Sequence, residues 1–164
     1  PFGVVRKFVI PEHVSLNDLY YGNVLGGASM CLCSRNILLK MRGFDAKLKS
    51  GQDWDLWLRL RAEGEVVVCG KPLVRYLAHS GFRISNDMQS QYLGIRRFYF
   101  KHRDSMDVTL RRFRTCHVCF VKSRDTKKSL KKRLHYLYLA VYFSDLSIGL
   151  SYVRSSLPRM LINK

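Results

Sequence analysis

Apolar positions fall along this chain in two rhythms. In the first half, short β-branched or small-residue runs alternate with helical patterns. Residues 4–10 read as a strand stopped by Pro11. Ser15 stands where a helix N-cap is wanted, ahead of Leu16, Leu19 and Tyr20, and Gly22 closes that short helix. Residues 23–27 form a glycine-bearing loop, and residues 28–33 read as a buried strand. A helix is predicted over 36–42, capped by Ser34, with Ile37, Leu38 and Met41 on one face and Gly43 at its end. Another follows over 53–63, where Trp54, Trp57, Leu58 and Arg61 keep helical spacing before Gly64. The β-branched run Glu65-Val66-Val67-Val68-Cys69 predicts a buried strand. Residues 73–77 predict one more, leading into a loop around His79 and Gly81.

After about Ser85 only the helical rhythm remains. A pattern rich in Tyr, Phe and Arg covers 88–101, and residues 134–153 are apolar and aromatic. His135, Ser144, Asp145 and Ser147 interrupt that last stretch. They argue against a membrane-crossing helix and for an amphipathic one lying at a membrane surface or on a partner. The expected division is therefore 1–85, mixed α/β, and 86–164, a basic, amphipathic helical tail.

Charge sharpens this picture. The 164 residues carry a net charge of +17, and between Arg96 and Arg133 fourteen Lys/Arg face three Asp. Such a surplus implies an anionic partner: nucleic acid, acidic lipid or a phosphorylated substrate. No helix-turn-helix, zinc-finger or RNA-recognition signature is present. An anionic membrane surface met by residues 96–153 is favoured over nucleic acid on that ground. The five cysteines are an odd number and predict a reduced, cytoplasmic setting rather than a disulfide framework; with the basic tail on an anionic bilayer, the expected place is peripheral to the inner face of the membrane. Cys116-His117-Val118-Cys119 has CxxC spacing but no second ligand pair, so it reads as buried or incidental thiols. Pro1 opens on what reads as a strand already under way, which predicts a fragment with its upstream half missing.

The most informative stretch is Gly51-Gln52-Asp53-Trp54-Asp55-Leu56-Trp57-Leu58-Arg59. It puts two carboxylates, one guanidinium and two indoles within two turns of helix. In the first turn the unpaired amide N–H groups favour a negative charge, so Asp53 suits a plain helix-start acid. It equally suits a general base held at the rim of a core. Asp55 reads as a structural partner for Arg59 at i+4. Trp57 reads as core, and Trp54 as an aromatic wall beside Asp53. Phe44 and Asp45 read as parts of a turn.

The order of these pieces resembles family 2 glycosyltransferases over roughly the first half of the chain. The matching residues are Leu19-Tyr20-Tyr21-Gly22-Asn23, then Gly26-Gly27-Ala28-Ser29-Met30, Ser34-Arg35-Asn36 and Arg42-Gly43-Phe44-Asp45. After them come the Asp53 stretch and Tyr76-Leu77-Ala78-His79-Ser80. Gln52 stands where that family usually has Glu, and Leu77 where it usually has Arg. No Gln-x-x-Arg-Trp follows, which speaks against a processive synthase. The resemblance implies an α/β fold, the C-terminal portion of a GT-A domain followed by the helical tail. It implies an inverting glycosyltransferase that moves a sugar from a nucleotide-sugar donor to a glycan or lipid-linked acceptor hydroxyl. Asp53 would be the general base. Gly26, Gly27, Ala28, Gln52 and Trp54 would line the substrate site, with Trp54 stacking on the apolar face of a sugar, and His79 would meet a metal or the diphosphate. The divalent metal (Mg or Mn) would be held mainly by an Asp-x-Asp motif in the missing upstream half, not by Asp53-Trp54-Asp55. The competing expectation is a non-enzymatic basic helical module that binds membrane or nucleic acid.

Overall fold

Helix is the only regular structure among the residues described by the computed structural model, which are 10–74, 87–125 and 127–144. Six α-helices follow in order: α1 (Leu16–Tyr21), α2 (Arg35–Lys40), α3 (Gln52–Glu63), α4 (Met88–His102), α5 (Val108–Ser123) and α6 (Leu130–Tyr142). The expected α/β architecture of GT-A type is thereby overturned: no strand and no sheet occur among the described residues. Residues 28–33 begin as a 3-10 turn, Ala28–Met30, and continue without a ladder partner. The 65–69 run has no regular structure, and Val67 stands 94% exposed. β-branched residues fit a half-buried pleated surface, but they make a strand only when another strand pairs with them. Here that pairing is missing. The expected strand at 4–10 lies almost wholly outside the described residues, as does most of 73–77.

The chain divides into two compact units, Pro1–Phe44 with Asp53–His79, and Asp45–Gln52 with Ser80–Lys164. In the first unit, α1 starts with a reciprocal capping box. The Ser15 hydroxyl accepts from the Asp18 amide at 3.1 Å, and the Asp18 carboxylate accepts from the Ser15 amide at 2.8 Å. Ser34 caps α2 through the Ile37 amide at 3.3 Å. That helix stops because Arg42 and Gly43 both turn left-handed, at φ 58° and 61°, and the Gly43 amide closes on the Leu38 carbonyl. Helix α3 buries five successive residues, Trp54 to Leu58. At its far end Arg61 donates to the Val14 carbonyl at 2.7 Å, ahead of α1, and to the Gly64 carbonyl at 3.1 Å, just past the helix end.

In the second unit, α5 packs against both α4 and α6. Asp87 caps α4 by accepting from the Gln89 and Ser90 amides, and Asp107 caps α5 by accepting from Leu110. Phe98, Met106, Leu110, Cys116, Val121, Leu137 and Ala140 make its core. The segment Asp45–Gln52 is tied to α4 in two ways. Asp45 accepts from Arg97 and Lys101, at 3.3 and 3.1 Å, and Gly94 lies directly against the Ser50 backbone. No helix among the described residues is long and apolar enough to cross a membrane.

Candidate functional site

Asn23 shapes the loop that follows α1. Its side-chain amide donates to the Gly26 carbonyl at 3.0 Å, and its carbonyl oxygen accepts from the Gly26 amide at 3.1 Å. The loop can close this tightly because Gly26 takes φ 76°, where a side chain would be strained. Helix α3 grips the loop with both indoles. Trp57 donates to the same Gly26 carbonyl at 3.0 Å, and Trp54 donates to the Leu19 carbonyl at 2.6 Å. Two buried rings thus fix the first turn of α3 beside the glycine turn.

Asp53 occupies the corner so formed. Its carboxylate is half-buried and faces Gly27, where an added Cβ would sit 3.9 Å from Oδ2. Its other oxygen accepts from the Trp54 amide at 2.7 Å, as an acid in the first turn of a helix does. Among the described residues Asp53 enters no ion pair. Cys31 is close enough to feel it: burial first, and then the Asp53 charge, push that thiol above its ordinary value. Ala28 and Ser29 are exposed at the rim.

Asp55, two residues on, has the opposite environment. It is fully buried and bonds Arg59 Nε at 2.9 Å, while the remaining guanidinium nitrogens donate to Met41 and Gly43 carbonyls at 2.6 and 2.7 Å. The pair is internal scaffolding, joining α3 to the left-handed turn after α2.

Of the residues expected to form the site, the structure sets Gly27 against the Asp53 carboxylate, with Gly26 in the adjoining turn and Ala28 exposed next along the chain. Trp54 sits beside them, but its ring is only 7% exposed and its N–H is taken by Leu19. Its expected role as a sugar-stacking wall is corrected to one of anchoring the helix. Gln52 donates to the Leu48 carbonyl at 2.9 Å within its own turn. His79 lies outside the described residues. A divalent cation finds no donor set here: no group of three or more His, Cys, Asp or Glu is gathered among the described residues, and Asp55 is taken by Arg59. Asn23 and Cys31 join the site without being among the residues expected to form it. The Asn-x-x-Gly spacing that lets Asn23 clamp the turn is a readable signal, whereas the approach of Cys31 to Asp53 is purely tertiary. Comparison with protein-family models, curated proteins and solved structures finds no match.

Proposed function

We propose that this chain is part of an inverting glycosyltransferase, in which Asp53 takes the proton from an acceptor hydroxyl as that oxygen attacks the anomeric carbon of a nucleotide sugar. The donor's nucleoside diphosphate departs from the opposite face. The observation that supports this reading is the Asp53 corner: a half-buried carboxylate without an ion-pair partner among the described residues, set on a helix pinned by two indoles, facing a glycine. An alcohol is a poor nucleophile at neutral pH, and a positioned base typically contributes about 10²–10⁴ in rate. The reading rests on this corner and the order of motifs around it, and not on any sheet.

The test is a nucleoside-diphosphate release assay with a panel of nucleotide sugars and acceptor glycans. Asp53→Asn is expected to lower turnover by about 10²–10⁴ while leaving donor binding nearly intact. Equal turnover in that variant removes Asp53 from the chemistry.

A further inference from the structure

Helix α6 has two faces of different character. Arg133, Leu137 and Ala140 are buried in the unit where α6 packs on α5. On another face Leu130, Leu134, Tyr138 and Tyr142 recur every fourth residue and are 38, 43, 61 and 66% exposed. The two tyrosine rings stack with centroids 6.0 Å apart, and Phe143, itself 37% exposed, meets Tyr142 edge-on. At 3.6 residues per turn, Lys131 falls on the same side of the helix as this stripe. It is exposed, as are Lys132 and, just ahead of the helix, Lys127. A water-facing helix surface ordinarily carries polar residues instead.

We propose that this face of α6 docks on an anionic lipid bilayer. Leu130, Leu134, Tyr138 and Tyr142 enter the boundary between headgroups and acyl chains, and Lys127, Lys131 and Lys132 meet acidic headgroups. Thirteen residues of helix span about 20 Å, short of the roughly 30 Å hydrocarbon core, so the helix lies in the plane of the surface. Charge complementarity selects the occupant, and the composition of the stripe excludes the other anionic polymer. Leucines offer nothing to phosphates or base edges. The two tyrosines are stacked on each other, and Arg133, the one arginine of the helix, is turned inward to the Ser123 carbonyl. Tyrosine, with an apolar ring and a polar tip, suits the wet edge of a membrane. The proposal uses residues of the second unit only and stands independently of the transferase reading.

The experiment is co-sedimentation of the full chain with vesicles rich in phosphatidylserine and with pure phosphatidylcholine, beside fluorescence anisotropy with single-stranded RNA at the same ionic strength. Wild type is expected to bind the acidic vesicles and not the neutral ones. The double variant Leu134→Gln/Tyr138→Gln should bind them at least about ten-fold more weakly, since each exposed apolar side chain that enters the bilayer loses water contact. The triple variant Lys127→Gln/Lys131→Gln/Lys132→Gln should weaken binding by about five-fold per lysine. All five positions are exposed, and circular dichroism checks that helix content is retained. Failure to bind acidic vesicles overturns the proposal. So does undiminished binding by the Leu134/Tyr138 variant, and so does tighter binding to RNA than to acidic vesicles.

Discussion

Two aspartates separated by one residue should respond very unequally to the same substitution. Asp55→Asn removes a charge from a site with no solvent contact, beside a guanidinium whose side chain is only 20% exposed. Removing one partner of a buried pair costs about 3–5 kcal/mol, because the other charge is left without compensation. Arg59 keeps its bonds to the Met41 and Gly43 carbonyls and has some access to water, which puts the loss near the lower end, about 3 kcal/mol. Asp53→Asn removes only the attraction of a half-buried carboxylate to the start of α3, worth about 0.3–1 kcal/mol.

Urea unfolding followed by tryptophan fluorescence reads this directly, because the chain's two tryptophans both lie on α3. With a urea dependence of about 1–3 kcal/mol per molar, Asp55→Asn should lower the midpoint by about 1–3 M, and Asp53→Asn by a few tenths. A double variant, Asp55→Leu/Arg59→Met, should recover much of the loss, since a buried pair replaced by apolar groups of similar size is often neutral or better. Equal midpoints for Asp53→Asn and Asp55→Asn would refute the division of labour between them, and with it the claim that Asp53 is left available for chemistry.

Two further outcomes concern the second unit. Gly94→Ala would place a methyl 2.3 Å from the Ser50 carbonyl oxygen, so the overpacking cost of about 1–3 kcal/mol should exceed the roughly 1 kcal/mol gained in helix propensity; a thermal midpoint at or above wild type would refute that contact. His117 is pushed down to about 4 from 6.5, by burial and then by the neighbouring Arg114 charge, so the unfolded chain binds the extra proton. Stability from this ring is complete above about pH 6.5 and lost as pH falls toward 4, by about 3 kcal/mol. Asp18, Asp45 and Asp87, all held below the usual carboxylate range, add their own loss at lower pH. His117→Gln should flatten the slope between pH 4 and 6.5, and an unchanged slope in urea midpoints would discard the assignment.

Helices were legible wherever a cap, a periodic face and a stop coincided. Ser15 with Gly22, Ser34 with Gly43, and the Trp54–Trp57 pattern ahead of Gly64 each mark a helix within a residue or two of where it lies. Those signals are local and act over one or two turns. The strands expected at 28–33 and 65–69 failed because their requirement is not local: a valine run states a preference for a pleated surface and says nothing about whether a second run will lie beside it. Leu32 and Val67, fully or nearly fully exposed, show how little the apolar character of a segment fixes burial without that partner. At the site, the i+4 pairing of Asp55 with Arg59 could be read from spacing. The burial of Trp54 could not, because it depends on the Leu19 carbonyl, 35 residues earlier in the chain.

Net charge misled in a different way. Counting Lys and Arg treats every cation between Arg96 and Arg133 as surface, but three of them are internal. Arg114 has no exposure, lies 5.4 Å from the rings of both Phe98 and Phe113, and bonds His117 Nδ1 at 3.0 Å. Lys122 sits 3.8 Å from the Tyr92 ring centroid and pairs with Asp125 at 3.7 Å; burial and the nearby Lys128 charge hold it below its ordinary value. Arg133 closes the end of α5 through the Ser123 carbonyl. These cations are held by aromatic faces, one carboxylate and backbone oxygens inside the bundle, so they are not presented to lipid as solvated surface charges are. Arg112, Lys127, Lys131 and Lys132 remain exposed among the others. The surface field is therefore weaker than the composition suggests, and what gives α6 a direction toward lipid is the coincidence of the remaining lysines with the leucine and tyrosine stripe.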